Sequence, residues 1–303
     1  MTLGEWLDTW MNLYVWPSAL AKSSKMCYNR AVQAVPPELA SVLMPELSPL
    51  DLRRWLLSVA VETPRAAQLD RQMLSRALTV AAKCGLCAPG LVDPDVCPQI
   101  AHKAARAAIL TREQLLLYFH AAAETDVAPA LMLMCCGLRR GEAMGARWCC
   151  IDLDAATLLI DGQRSRCGQV APDPLKSEAS RRMIELPAAL LAVLRRWPRD
   201  VAPWVCGCSS HVLYQRHAQL LEDLRLPADV TLHGLRHSFA TAAAADGVPL
   251  KVLQRSLGHA KFQLTADLYA DHLPPLSSVS TTIFKPGIAN FSQKAHDWKS
   301  CAG

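Results

Sequence analysis

The chain has 303 residues, of which 51% are hydrophobic and 19% charged, and this composition excludes a disordered or linker protein. Its net charge of +5 permits an anionic partner without demanding one. The 12 cysteines are too dilute for a disulfide scaffold, so we expect them to be reduced and mostly buried. The acidic N-terminal segment does not fit a signal peptide, and no apolar run reaches the roughly 20 residues that span a bilayer. Secretion and membrane insertion are therefore not expected.

The first hundred residues predict a set of short helices. Apolar side chains recur at helical spacing over residues 3–11 and 66–80, and Gly85 provides a stop signal after the second pattern. Residues 23–35 and 48–61 show weaker helical patterns, and prolines separate these segments from one another. The first part of the chain is therefore expected to be a small helical domain.

The periodic pattern breaks off over residues 84–109, where several prolines precede a basic, alanine-rich stretch. We interpret this segment as a linker, which starts at about residue 84 and closes a first domain of residues 1–105. A second domain, residues 106–303, begins with a helix, because Thr111 is a good N-cap and Gln114 stands at the capping-box position.

The second domain has the pattern of a mostly helical domain with two short strands. Residues 157–161 and 183–186 carry the β-branched and alternating character of strands. The expected fold class is therefore mainly α with a small antiparallel β-sheet.

A segment bracketed by glycines, Gly137–Glu142, follows an apolar helical pattern. The glycines indicate a turn, so Arg139 can point inward, and Glu142 lies three residues later on the same side of the next helical turn. An inward arginine needs an anionic partner. In isolation, a structural Arg–Glu pair at a helix junction explains this motif best.

A second polar cluster is expected on the helix that follows Thr231. His233, Arg236 and His237 share one face of that helix, at spacings of three and four residues. One guanidinium beside imidazoles forms a phosphate-sized group of donors, because arginine donates two parallel hydrogen bonds to phosphate oxygens. A polar helix face in solvent explains the segment equally well when it is taken alone.

Two further candidates lie toward the C-terminus. Gly258 follows a helical pattern that starts after Pro249, and a left-handed glycine there would fix His259 just beyond the helix end. Tyr269 stands ten residues later in an amphipathic pattern. Taken alone, His259 fits a capping or core histidine, and Tyr269 fits an ordinary helix tyrosine.

Together these segments resemble the tyrosine recombinase, or phage integrase, family in their order and local context. The stretch 174–187 also looks like the β-hairpin of that family, with Lys176 in the position of its lysine. The resemblance implies a helical core-binding domain, followed by a catalytic domain with the DNA breaking-rejoining fold of the family. It also implies six catalytic residues and one supporting acid: Arg139, Lys176, His233, Arg236, His259 and Tyr269, with Glu142 in support.

The resemblance implies site-specific recombination of double-stranded DNA without a metal, ATP or another cofactor. Tyr269 would attack the scissile phosphate and form a 3′-phosphotyrosyl intermediate with a free 5′-hydroxyl, while Arg139 and Arg236 clamp the phosphate. His233 is the candidate base, and Lys176 is the candidate acid for the leaving 5′-oxygen. The two remaining residues would assist: His259 would donate a hydrogen bond to the phosphate, and Glu142 would orient the clamp.

The resemblance also implies a homodimer on one DNA site and a homotetramer in the synapse. The dilute cysteines indicate action in the reducing cytoplasm. A tail from about residue 276 would pack on a neighbouring protomer, and the length leaves no room for an additional arm-binding domain. Two alternatives stay open: a resolvase or invertase of the same family, and a DNA-binding relative that has lost cleavage. No metal site is expected, because the linker residues that could suggest zinc match no common ligand spacing: Cys84, Cys87, Cys97 and His102.

Overall fold

A computed structural model describes residues 1–95, 97, 108–164, 180–199 and 203–258 of the chain. The chain divides into two compact units, Met1–Ala105 and Arg106–Gly303. The predicted fold class is confirmed, because helices dominate and the strands form one small antiparallel sheet. Within the described residues, each helix is too short or too polar to cross a bilayer.

The described part of the first unit contains five α-helices, and short 3₁₀ and π turns join some of them. Their bounds agree with the predicted helical segments, apart from the single-turn α3, which the sequence patterns did not indicate. The helices are α1 (Leu3–Trp10), α2 (Lys22–Gln33), α3 (Pro37–Ala40), α4 (Pro49–Glu62) and α5 (Pro64–Lys83). A capping box starts α1, since the Thr2 hydroxyl accepts the Glu5 N–H and the Glu5 carboxylate accepts the Thr2 N–H.

The core of the first unit lies between α5 and the helices that precede it. Trp6 is buried in this core, and its indole Nε1 donates to the Ala77 carbonyl at 3.1 Å. The proline-rich stretch after α5 also packs here, because Val92 and Cys97 are buried and the Arg71 guanidinium donates to both of their carbonyls. Residues 84–95 and 97 therefore belong to the first unit by packing, although their composition resembles a free linker.

The second unit contains seven described helices and a short sheet. The helices are α6 (Arg112–Ala122), α7 (Ala128–Cys135), α8 (Arg140–Met144), α9 (Ala188–Arg196), α10 (Ser210–Asp223), α11 (Leu232–Ala245) and α12 (Leu250–Leu257). The capping box predicted at the start of α6 is confirmed, because the side chains of Thr111 and Gln114 each accept the backbone N–H of the other. All eight residues of α7 are buried, since this helix is apolar on every side and runs through the core.

The sheet consists of β1 (Ile151–Asp152), β2 (Thr157–Ile160) and β3 (Arg182–Glu185), paired antiparallel in that order. Leu158 is opposite Ile184, and Ile160 is opposite Arg182. Both predicted strands are confirmed, and β1 is an addition that is too short to leave a pattern in the sequence. The register matters for the site below, because it places Arg182 on the same face of β3 as the buried Ile184.

The cysteines in the described part of the chain are free thiols, as expected, but the expectation that most are buried is wrong. Of the ten that the structure describes, Cys97, Cys135 and Cys206 are buried, two are exposed and five are intermediate. The physical reason is their position. Cys84, for example, caps the end of α5, and Cys149 lies in a surface 3₁₀ turn.

Candidate active site

The turn between α7 and α8 positions the first candidate arginine. Gly137 adopts φ +89°, and a Cβ atom there would lie 2.7 Å from Phe239 Cδ1, so only glycine fits. The turn places Arg139 at the N-cap of α8, where its backbone N–H donates to Glu142 Oε2 at 2.9 Å. Its Nη1 also donates to Glu142 Oε1 at 2.7 Å. Arg139 and Glu142 thus form a short-range pair at the start of α8.

Glu142 is the centre of a buried ionic cluster, with only 2% of its side chain exposed. Arg182 donates to both carboxylate oxygens, at 2.9 Å from Nη2 to Oε2 and 3.3 Å from Nη1 to Oε1. Arg236 Nη1 lies 3.8 Å from Oε2. Burial by itself raises the pKa of Glu142, but the hydrogen bonds and charges of Arg182 and Arg139 outweigh it and lower the pKa. Glu142 is therefore a carboxylate that holds the guanidiniums of Arg139, Arg182 and Arg236. We call these four side chains the arginine cluster.

Arg236 is almost completely buried on α11, and it is anchored by backbone carbonyls. Its Nη1 donates to the Gly137 carbonyl at 2.7 Å, and its Nη2 donates to the Leu257 carbonyl at 2.6 Å. Burial, followed by the charge of Arg139, lowers the pKa of Arg236 to about 9, which leaves it protonated at neutral pH. One side chain thus connects the α7–α8 turn to the end of α12.

The C-terminal end of α12 is held by all three arginines. Arg182 Nε donates to the Ser256 carbonyl at 2.5 Å, and Arg139 Nη2 donates to the Gly258 carbonyl at 2.9 Å, while Arg236 binds the carbonyl between them. The last carbonyls of a helix have no partner within it and carry partial negative charge, so guanidiniums satisfy them well. Gly258 is left-handed, with φ +65°, as the sequence predicted. The cluster therefore fixes the point at which the chain leaves α12.

Two histidines of α11 lie beside the arginine cluster. The rings of His233 and His237 pack edge to face, with centroids 4.5 Å apart. Burial, the ring of His237 and the charges of Arg236 and Arg139 lower the pKa of His233 to about 4. Burial and Arg236 also lower the pKa of His237. Both imidazoles are therefore neutral at pH 7, the form in which an imidazole accepts a proton.

The arginine cluster has more positive than negative charge. Three guanidiniums surround one carboxylate, and the hydrogen bonds that Arg139 and Arg236 make to described residues leave further N–H donors on each. Arg139 is the most accessible, with 34% of its side chain exposed, whereas Arg182 is 7% exposed. Chemically, such a cluster suits a tetrahedral oxyanion that approaches Arg139 from solvent.

The structure brings together Arg139, Glu142, His233 and Arg236 from the residues proposed from the sequence. The others lie outside the described residues: Lys176, His259 and Tyr269. Arg182 was missed, although a signal for it existed, because it alternates with the apolar Ile184 on β3 and must share its inward face. In the described part of the chain, no three His, Cys, Asp or Glu side chains converge to hold a metal ion.

Residues 108–274, more than half of the chain, match the model of the phage integrase family. The chain belongs to this family. The matched range begins where the described part of the second unit begins and includes all the residues of the arginine cluster. The family match therefore lies within the second unit, which contains the candidate site.

Curated relatives of this phage integrase family member include tyrosine recombinases of bacteria. It is 30% identical over 174 residues to tyrosine recombinase XerD of Caulobacter vibrioides, an alignment that covers 52% of this chain and 55% of the relative. It is 33% identical over 158 residues to tyrosine recombinase XerC of Rhodospirillum centenum, covering 49% and 44%. The chain thus spans about half the length of the curated relatives it matches.

Solved structures with the same fold extend over nearly the whole chain. The Tn1549 transposon integrase, in complex with a circular intermediate DNA, superposes with a TM-score of 0.76 at 17% identity, covering 93% of this chain and 98% of that one. A lambda integrase dimer bound to a COC′ core site gives a TM-score of 0.69 at 18% identity, covering 90% and 96%. At these identities the likeness shows that the fold is shared.

Proposed function

We propose that this chain is a site-specific DNA recombinase, which cleaves and rejoins duplex DNA through a 3′-phosphotyrosyl intermediate on Tyr269. The names of its relatives and its family membership support this reaction class. The observation that carries the proposal is the arginine cluster, in which Glu142 holds Arg139 and Arg236 with an excess of positive charge. No metal or ATP takes part in the proposed reaction, because exchanging one phosphodiester for another conserves the energy of the bond.

The arginine cluster suits the transition state of this reaction. A phosphodiester repels an incoming nucleophile, and negative charge grows on its non-bridging oxygens as the nucleophile attacks. Guanidiniums that are already held in place by Glu142 and by backbone carbonyls need little reorganisation to stabilise that charge. Arg139 would contact the phosphate first because its side chain reaches solvent. Arg236, which is buried beside it, would donate the remaining hydrogen bonds to the phosphate.

The other proposed residues would move protons and complete the site. His233 would accept the proton of the Tyr269 hydroxyl, for which its neutral form is required. Lys176 would protonate the leaving 5′-oxygen, and His259 would donate a hydrogen bond to the phosphate. The position of His259 directly after Gly258 supports that role, since the arginine cluster holds the Gly258 carbonyl.

The two units suggest how the chain would hold DNA. Residues 1–105 would form a core-binding domain, and residues 106–303 a catalytic domain with a C-terminal tail from about residue 276. We further propose a homodimer on one site and a homotetramer in the synapse. Structures of lambda integrase include a dimer on a core site and a tetramer on a Holliday junction. The dilute cysteines fit a reducing compartment, so the chain would work in the cytoplasm.

Trapping the covalent intermediate tests the proposed function. Nicked suicide duplexes that tile the DNA flanking the encoding gene would be incubated with the protein, and adducts would be detected by denaturing electrophoresis. We expect an adduct with the wild type and with Tyr214→Phe, which alters an exposed tyrosine of α10, but none with Tyr269→Phe. DNA binding without an adduct would favour a relative that has lost cleavage, and an adduct in Tyr269→Phe would refute the assignment of the nucleophile.

Two further assays refine the proposal. Lys176→Ala should slow cleavage of a normal 5′-oxygen far more than that of a 5′-thio leaving group, which needs little protonation. Equal losses on both substrates would remove Lys176 from the acid role. Plasmids with two sites in either orientation would separate integration from resolution and inversion, which share the same chemistry.

A further inference from the structure

Cys206 and Cys208 form a close pair of thiols just before α10. The two Sγ atoms lie 3.4 Å apart, within hydrogen-bond distance, and a single glycine separates the two residues in the chain. A disulfide needs a separation of about 2 Å, so the sulfurs have to approach by only about 1.4 Å. We propose that Cys206 and Cys208 are a redox-active dithiol, which a low-molecular-weight disulfide converts reversibly into an intramolecular disulfide.

The surroundings of the pair favour one thiolate, shared between the two sulfurs. The hydrogen bond with the Cys208 thiol lowers the pKa of Cys206 to about 7, even though burial acts in the opposite direction. The backbone N–H of Cys208 and the charge of Arg164 lower it further. The same pairing raises the pKa of Cys208, so the two sulfurs share one proton near neutral pH.

Other neighbouring thiols of the second unit behave differently. Cys149 and Cys150 also lie close together, with 3.8 Å between their Sγ atoms, but burial raises the pKa of Cys150 to about 12. Burial likewise raises the pKa values of Cys135 and Cys136. Proximity in the sequence is therefore insufficient. The shorter distance between the Sγ atoms and the lowered pKa of Cys206 distinguish the Cys206–Cys208 pair.

The two cysteines would have different tasks in the exchange. Cys208 is partly exposed and Cys206 is buried, so the incoming disulfide meets Cys208. After the shared proton moves to Cys206, the Cys208 thiolate attacks one sulfur of the reagent, forms a mixed disulfide and releases one thiol. Cys206, once deprotonated, then attacks Cys208 Sγ and displaces the second thiol. Two electrons pass from the protein to the reagent. The shared proton and one proton from solvent complete the two thiols that are released.

The dithiol is connected to the arginine cluster through Arg164. The Cys206 carbonyl accepts a hydrogen bond from Arg164 Nη1 at 3.1 Å, and the Arg164 backbone N–H donates to the Gly141 carbonyl at 2.8 Å. Gly141 precedes Glu142 in α8. Formation of the disulfide would move the Cys206 carbonyl and therefore Arg164, whose backbone N–H binds α8 at Gly141. This consequence for DNA cleavage rests on the proposed function, whereas the dithiol itself does not.

Redox titration followed by peptide mapping tests the dithiol. The full chain would be equilibrated in mixtures of reduced and oxidised glutathione, quenched in acid, alkylated and digested. We expect the peptide that contains both residues to lose two hydrogens reversibly as the mixture becomes more oxidising. A peptide that stays reduced in oxidised glutathione alone, or that carries only a stable glutathione adduct, would overturn the proposal.

Variants separate the two roles, and a matched pair serves as control. In Cys206→Ser, or in Cys206→Ala if serine prevents folding, glutathione should remain attached to Cys208 because the resolving thiol is gone. Cys208→Ser should lose the reaction, and the double variant Cys149→Ser, Cys150→Ser should titrate as the wild type does. If only this double variant loses the redox transition, the disulfide forms between Cys149 and Cys150, and the proposal for Cys206 and Cys208 is wrong.

The effect on cleavage is measured separately. We expect the oxidised wild type to form the covalent DNA adduct several-fold more slowly, with full recovery upon reduction and no response in Cys208→Ser. Oxidation that leaves the cleavage rate unchanged would disprove the connection through Arg164. Mass spectrometry would still report on the dithiol, so the failure of one idea is distinguishable from the failure of the other.

Discussion

In the described part of each unit one carboxylate is buried, and the two carboxylates have opposite properties. Glu142, in the second unit, is bound by Arg139 and Arg182 and has a lowered pKa. Asp70, on α5 of the first unit, is 1% exposed, and its Oδ2 has no hydrogen-bond partner among the described residues. Burial raises the pKa of Asp70 to about 6, because the charge of Arg30 compensates only in part.

The difference shows that partners, and not burial, decide whether a buried acid stays charged. A buried charge without a partner costs several kcal/mol, and the protein avoids this cost by taking up a proton or by supplying a counter-charge. Around Glu142 the second solution also fixes three arginines in space. At neutral pH Asp70 is mostly deprotonated, and the charge of Arg30 compensates its burial only in part. Removing each acid should therefore have opposite effects on stability.

The largest effect is expected for Glu142→Ala. It leaves three guanidiniums without their carboxylate, and unpairing a buried ion network costs about 3–5 kcal/mol. Chemical denaturation should show this loss in the unfolding free energy, and formation of the DNA adduct should fall with it. Glu185→Ala, on the exposed face of β3, is the control and should change the unfolding free energy by less than about 0.5 kcal/mol. Equal losses of unfolding free energy in the two variants would contradict the claim that Glu142 stabilises the fold by binding the arginines.

Arg182→Met should have the next largest effect, about 2–4 kcal/mol, because it removes two hydrogen bonds to a buried carboxylate. It should also raise the pKa of Glu142, since Arg182 is a cause of its lowering. The stability that ionised Glu142 contributes would then be lost at a higher pH upon acidification. Denaturation midpoints measured from pH 7 to pH 4 would show this. Arg181→Met, an exposed neighbour, should leave the profile unchanged.

Asp70→Asn should stabilise the first unit by roughly 1–2 kcal/mol at pH 8, because it removes a buried charge and adds only a buried amide. Protonated Asp70 is favoured in the folded state, so wild-type stability falls as the pH rises from about 4 to about 6. The advantage of the variant should therefore shrink below pH 6. Hydrogen exchange of the α5 amides would measure it, with the exposed Asp8→Asn as control. A destabilised variant at pH 8 would contradict the account of Asp70 as a buried acid with an unpartnered Oδ2.

The smallest effect concerns His233 beside the arginine cluster. In the DNA-free protein its NMR titration should have a midpoint near 4, and Arg139→Gln should raise this midpoint by less than about one pH unit. Arg140→Gln alters the next residue and should leave the midpoint unchanged. An unchanged midpoint in Arg139→Gln would show that the charge of Arg139 does not influence His233.

Local patterns predicted much of the fold and some of the site. The helices over residues 22–33 and 64–83, the capping box at Thr111 and the left-handed Gly258 depend on interactions within a few residues, so the sequence alone indicates them. The packing of the proline-rich stretch around Val92 was not predictable in this way, because Arg71 reaches its carbonyl from 21 residues away.

The sequence by itself determined the family, the fold class and the residue types that the chemistry requires. Only the tertiary structure decided which charges meet. Arg182 contacts Glu142 across 40 residues, and Arg236 binds the Gly137 carbonyl across 99. The same is true of Cys206, whose carbonyl accepts a hydrogen bond from Arg164 across 42 residues. Hydrophobic periodicity records which face of a helix or strand is buried, but it does not record which buried polar groups become partners when those faces pack together.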